Sequence, residues 1–255
     1  MAPLVHAAQA TGVTTLTLDS PANRNALSAA LVAELRAALA AAGADPAVRA
    51  VVLTHSGSTF CAGADLKSPC DPADFLGLLR EIAGLPKPVV ARVTGHVRAG
   101  GLGLLGACDI AAAGPRSTYA FTETHLGLAP AVISMPLLPR LDPRAAARYF
   151  LTAEPFDATE AARIGLITLA AADDPEGAEG ADAVDQALEP VLAGLRKASP
   201  QGLAATKALT ASAVREALER DGARLTELSA GLFASAEARE GITARFERRD
   251  PSWVL

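Results

Sequence analysis

Phe60-Cys61-Ala62-Gly63-Ala64-Asp65-Leu66 and Gly95-His96-Val97-Arg98-Ala99-Gly100-Gly101-Leu102-Gly103 are the two stretches on which the reading of this chain turns. Each mixes glycine with small residues, which lets the backbone bend tightly and lets another group approach the main chain closely. Unpaired backbone N–H groups at two such turns, aimed at one point, form an oxyanion hole, often the largest single electrostatic contribution to a catalysed step. Gly100 also opens an apolar helical pattern through Leu102, Leu104 and Leu105. Its N–H is therefore expected at the positive end of a helix dipole.

Working outward, Ala50-Val51-Val52-Leu53 and Val89-Val90-Ala91-Arg92-Val93 read as short buried strands, with a helical pattern at Phe75, Leu78, Leu79 and Ile82 between them. Val13 to Leu18 alternates as a half-exposed strand does, and the Ser20-Pro21-Ala22-Asn23 cluster marks a turn. Ser28 is placed to cap a helix carrying Leu31, Leu35 and Leu39, with Gly43 as its stop signal. Strands alternating with helices predict a layered α/β core. Asp173-Asp174-Pro175-Glu176-Gly177 reads as a surface loop, and helical periodicity then runs from Val184 to Leu232 with a break at Ser199-Pro200.

Length and composition narrow the class. The 255 residues, half of them apolar, suit one substantial core with a smaller appendage. The apolar runs are far shorter than the roughly 20 residues of a membrane span. The start, Met1-Ala2-Pro3-Leu4-Val5-His6, lacks the pattern of a secretory signal, so a cytoplasmic location is expected. Cys61, Cys70 and Cys108 have no CxxC spacing and suggest neither a disulfide framework nor a zinc site. A net charge of −5 with scattered basic residues leaves no footprint for nucleic acid.

Gly101-Leu102-Gly103-Leu104-Leu105-Gly106 satisfies the GxGxxG string of dinucleotide-binding turns. That mechanism needs the first glycine directly after a strand, whereas Thr94 to Gly100 separate it from the strand end expected at Val93. His55, His96 and His125 fit neither an HExxH metal motif nor a catalytic triad, and no GxSxG elbow is present. Glu123 follows the mostly uncharged Thr118-Tyr119-Ala120-Phe121-Thr122 and precedes His125 to Pro130. Desolvation there would raise its pKa toward neutrality, as general acid/base work requires.

Asn25-Ala26-Leu27, Phe60 to Lys67, Lys87-Pro88-Val89-Val90, Gly95 to Asp109, Thr122-Glu123 through Pro130, and Glu240-Gly241-Ile242-Thr243-Ala244 fall in one order and spacing. Together they make the chain resemble the crotonase, or enoyl-CoA hydratase/isomerase, superfamily nearly end to end. The resemblance implies a spiral of strand–strand–helix repeats over residues 1–198, holding the active site, and a C-terminal helical oligomerisation region over 199–255. It implies thioester enolate chemistry, with Ala64 and Gly100 as the N–H donors and Glu123 as the residue that handles the proton or activates water. The CoA and acyl group would lie along Ala22, Arg24, Ala26, Ala62, Gly63, Asp65 and Leu66, with Arg24 and Lys67 as candidate phosphate partners. His96, Gly101 and Gly103, in the donor loop, would flank the substrate.

The partners so implied are an acyl-CoA thioester and further copies of the chain, as a trimer or dimer of trimers. No metal or redox cofactor is expected, CoA being part of the substrate. The chain departs from the two-glutamate hydratase pattern, which places a second carboxylate where Gly103 stands. A hydratase similar to bacterial enzymes of the methylglutaconyl-CoA type comes first, a single-glutamate isomerase second and a non-catalytic acyl-CoA-binding homologue third. A pocket left roomier and less negative at Gly103 would favour branched or carboxylated substrates.

Overall fold

The computed structural model describes residues 2–172 and 180–255; the loop expected at Asp173–Gly177 lies outside them. A hairpin opens the chain, β1 (Val5–Ala10) pairing antiparallel with β2 (Val13–Leu18). Helix α1 (Ala29–Ala44) follows, capped by the Ser28 side chain, which accepts from the Leu31 N–H at 3.2 Å. Gly43 does not stop this helix but lies inside its last turn, against Leu85, and Asp45 is the cap.

A three-element unit then recurs: β3 (Ala50–His55), β4 (Thr59–Cys61) and α2 (Pro72–Gly84); β5 (Val89–Val93), β6 (His96–Arg98) and α3 (Gly100–Ala107); β7 (Ile110–Ala113), β8 (Thr118–Ala120) and α4 (Ala131–Leu137). The first strand of each unit joins a large sheet and the second a small one. The rest of the described chain comprises α5 (Pro143–Thr152), β9 (Phe156–Asp157), α6 (Ala158–Arg163), β10 (Leu169–Ala170), α7 (Gly180–Lys197), α8 (Pro200–Thr210), α9 (Ser212–Phe233) and α10 (Ala236–Glu247). The large sheet has the order β1-β2-β3-β5-β7-β10, parallel from β2 onward, and the small sheet the order β4-β6-β8-β9. This is the strand–strand–helix spiral that the resemblance implies.

Parallel strands buried on both faces read as continuous apolar runs, and β3 is buried at every position. One face packs Leu16, Leu53 and Val89 into the main core with Leu35, Leu78 and Leu79; the other packs Val13, Val52 and Val90 against Val184 and Leu188 of α7. Helix α8 is tied down by Lys207, whose buried Nζ lies 2.8 Å from Asp109 Oδ2 and donates to the Ile82 and Lys87 carbonyls. Helix α9 packs on α2 and α4. Among the described residues no helix is long and apolar enough to cross a membrane.

Candidate active site

Strands β4, β6 and β8 of the small sheet are adjacent and parallel, with Cys61 opposite Val97 and Arg98 opposite Ala120. Three chain segments therefore leave the sheet at neighbouring carboxyl ends, the side where ligands are commonly held. Ala64, Gly100 and Glu123 each stand two or three residues past the end of their strand. All three line one cavity of about 230 Å³.

Ala64 is presented by a one-residue bridge to Leu27: the Leu27 N–H donates to Gly63 O at 2.8 Å, and the Asp65 N–H donates to Leu27 O at 3.2 Å. Successive peptide groups of extended chain point to opposite sides, so this pairing turns the N–H of Ala64 away from Leu27. Gly100 is the first residue of α3, where no carbonyl lies a turn behind to accept its N–H. Among the described residues neither N–H has a hydrogen-bond partner. Gly63 adopts φ +91°, and a Cβ on it would fall 2.9 Å from Ala99 Cβ and 3.6 Å from Gly100 N. The two turns are thus in direct contact, which only glycine permits at that position.

Glu123 heads the 3-10 turn Thr124–Leu126, and its carbonyl accepts from the N–H groups of Leu126 (2.9 Å) and Leu128 (3.0 Å). Glu123 is 9% exposed, and its side-chain Oε2 is buried without a hydrogen-bond partner among the described residues. Burial pushes its pKa up to about 7, against the opposing effect of a backbone hydrogen bond. The walls around it are apolar, formed by Leu27, Leu66, Phe75, Leu128, Val132, Ile133 and, from α9, Ala230 and Phe233. Among the described residues no Lys, Arg or His side chain lines the cavity.

Segments 22–27 and 62–67, which carry Ala22, Arg24, Ala26, Ala62, Gly63, Asp65, Leu66 and Lys67, run together. The Ala62 N–H donates to Arg24 O at 3.1 Å, and Asn23 Nδ2 donates to Asp65 Oδ2 at 3.3 Å. Of these residues Leu66 lines the cavity, while Ala22, Arg24 and Lys67 are exposed. Asn25 is buried and holds the segment, accepting from the Ser20 N–H at 2.7 Å and donating to Thr59 O at 2.8 Å.

Three expectations need correction. His96 does not flank the cavity; it is exposed on β6, with Nδ1 2.8 Å from Thr118 Oγ1. Gly101 does not line it either, because a Cβ there would lie 2.8 Å from Cys61 Cβ: the glycine serves helix-to-strand packing. Gly103 leaves no vacancy in the cavity wall. A Cβ on it would meet Ile133 Cγ2 at 2.6 Å and Phe75 Cζ at 3.3 Å, so apolar side chains already fill the space of the absent carboxylate. The GxGxxG string is likewise a packing device, since Gly106 meets Leu137 as Gly103 meets Ile133. The segment between Val93 and Gly100 also holds a strand, β6, which three-residue length kept out of the periodicity.

Sequence reasoning passed over the walls Phe75, Val132, Ile133, Ala230 and Phe233. Their apolar spacing is that of any core-facing helix, and nothing local separates a cavity wall from a packed core. Among the described residues no group of three or more His, Cys, Asp or Glu side chains could hold a metal ion.

A family model described as enoyl-CoA hydratase/isomerase matches residues 8–254. The crystal structure of an enoyl-CoA hydratase from Mycobacterium avium is 52% identical, with a TM-score of 0.90 and 100% of each chain covered. The human enoyl-CoA hydratase domain-containing protein 2, mitochondrial, is 32% identical over 259 residues, covering 95% of this chain and 86% of that protein. Mevalonyl-coenzyme A hydratase of Aspergillus fumigatus is 30% identical over 254 residues, covering 93% of this chain and 90% of that protein.

Proposed function

The chain belongs to the enoyl-CoA hydratase/isomerase family, and from that premise we propose how its residues hydrate an α,β-unsaturated acyl-CoA thioester. The thioester oxygen accepts hydrogen bonds from the Ala64 and Gly100 N–H groups, which polarise the conjugated double bond. Ionised Glu123 takes a proton from water as the water oxygen bonds to the β-carbon, and the displaced electron pair moves through the α-carbon to the thioester oxygen as an enolate. Glu123, now protonated, returns that proton to the α-carbon, and the enolate collapses to the saturated 3-hydroxyacyl thioester. The net change is addition of H and OH, with no redox step. A carboxyl group poised near 7 both takes and returns a proton at neutral pH.

The observation that carries this reading is the buried Glu123 carboxylate, its Oε2 without a partner among the described residues, in one cavity with two free backbone donors. Loss of the enoyl absorbance of crotonyl-CoA, with the product identified as 3-hydroxybutyryl-CoA, supports it. Formation of a shifted double bond instead indicates isomerisation, and binding without turnover a non-catalytic homologue.

The apolar walls bear on the acyl group. A carboxylated chain of the methylglutaconyl type would bury its charge without a cation, at a cost of several kcal/mol. We therefore propose an uncharged acyl group, in place of the carboxylated one expected from a vacancy at Gly103. A kcat/KM for methylglutaconyl-CoA equal to that for crotonyl-CoA would refute this. We also propose self-association as a trimer or dimer of trimers through the C-terminal helices, where Leu209 is 76% and Phe246 53% exposed. A monomer mass by light scattering would exclude it. A cytoplasmic site of action is part of the same proposal.

A further inference from the structure

Glu240-Gly241-Ile242-Thr243-Ala244 has no part in the cavity, yet α10, which carries it, rests directly on the turn that bears Glu123. A Cβ on Gly241 would lie 2.7 Å from the Cα, C and O atoms of Leu126. Reciprocally, a Cβ on Gly127 would lie 2.7 Å from Glu237 C and 2.9 Å from Ala238 N. Backbone thus meets backbone at two points, each made by a glycine on one side. The helix is itself fastened. Glu240 accepts from Arg249 Nη1 at 2.6 Å and Nη2 at 2.9 Å, and also from the Ser252 N–H, so the chain end folds back beside Gly241.

The turn supported in this way is short. It consists of the 3-10 residues Thr124–Leu126 and the two N–H groups that bond the Glu123 carbonyl. Within it, the Glu123 side chain has one oxygen with no hydrogen bond to fix it. Its direction is therefore set by where the backbone lies, and Leu126, three residues on, is the point at which α10 bears. We propose that Gly241 is a positioning residue for Glu123: it lets α10 seat against the Leu126 main chain and so holds the Glu123 turn at the correct distance from the Ala64 and Gly100 donors. This rests on the reading of Glu123 as the proton-transferring group.

A methyl group at 241 must move one backbone against the other, and displacements of about 1 Å at a reacting group cost up to about a hundredfold in rate. Gly241→Ala is expected to lower kcat for crotonyl-CoA by about tenfold or more, with KM and the affinity for saturated butyryl-CoA within about twofold. Gly194→Ala, where a Cβ meets nothing within 4 Å, should leave both unchanged. Arg249→Met loosens the α10 tether without adding atoms to the contact, and should lower kcat by a few-fold with KM held. It decides the matter if Gly241→Ala does not fold. Full kcat in a folded Gly241→Ala protein overturns the proposal, as does an equal loss of kcat and of butyryl-CoA affinity. If Gly241→Ala does not fold, full kcat in Arg249→Met overturns it. Failure of the underlying reading shows separately, as undiminished turnover in Glu123→Gln.

Discussion

Ile133 occupies the volume that any side chain at Gly103 would need, its Cγ2 standing 2.6 Å from the position of the missing Cβ. The two residues are complementary: α3 carries no side chain where α4 thrusts one in. Gly103→Glu should therefore fail to restore a two-carboxylate site. A buried, unpaired carboxylate forced against Ile133 is expected to destabilise the fold by about 3 kcal/mol or more, read as a lower midpoint in denaturant unfolding. A stable Gly103→Glu protein with raised hydration activity would show that this space is free.

The donor role proposed for Gly100 can be separated from its shape. Both Gly100→Ala and Gly100→Pro press on Leu27 Cδ1, which would lie 2.7 Å from a Cβ there, but alanine keeps the N–H and proline removes it. The proline variant should turn over about a hundredfold more slowly than the alanine variant, the usual scale of a lost oxyanion donor. Equal rates in two folded variants would remove Gly100 from the oxyanion hole.

Much of this was readable from the chain. Ser28 caps the helix it precedes, the helical run breaks at Ser199-Pro200, Val89–Val93 forms its strand, and the glycine turns do meet. What was hidden lay in distance along the chain rather than in local pattern. β6 and β8 have three residues each, too few for alternation to show, although their parallel pairing is what brings Gly100 and Glu123 together. Gly103 could be seen to lack a carboxylate, but the residues that fill its place, Phe75 and Ile133, stand 28 residues before it and 30 after. Phe233 of α9, within the region expected to serve oligomerisation, forms part of the cavity wall.

Lys207 and Asp109 form a buried pair that fastens α8 to the start of β7. Burial lowers the Lys207 pKa, and the Asp109 charge opposes that shift. Lys207→Met leaves the Asp109 carboxylate without its cation and should cost about 3–5 kcal/mol of unfolding free energy. An unfolding midpoint equal to that of the parent chain would mean that the pair contributes nothing.

Glu123 also links stability to pH. Its folded pKa, about 7, stands above the ordinary 4.5, so the folded protein holds this proton more tightly than the unfolded chain does. Stability associated with Glu123 is full below about pH 4.5 and is lost as pH rises through about 7. Glu123→Gln escapes that loss and should be more stable than the parent above pH 7 by on the order of 3 kcal/mol. Parallel stability–pH curves for the two proteins would contradict the burial of an ionisable carboxyl group.

The most direct test of the whole account is kcat/KM for crotonyl-CoA hydration between about pH 5 and pH 9, in the parent chain and in Glu123→Gln. The parent should rise with pH through a midpoint near 7 as Glu123 ionises. The variant should bind butyryl-CoA as the parent does yet hydrate at least about a hundredfold more slowly, with no such rise. Hydration by a folded Glu123→Gln protein at the parent rate would contradict the claim that this single carboxylate moves the proton.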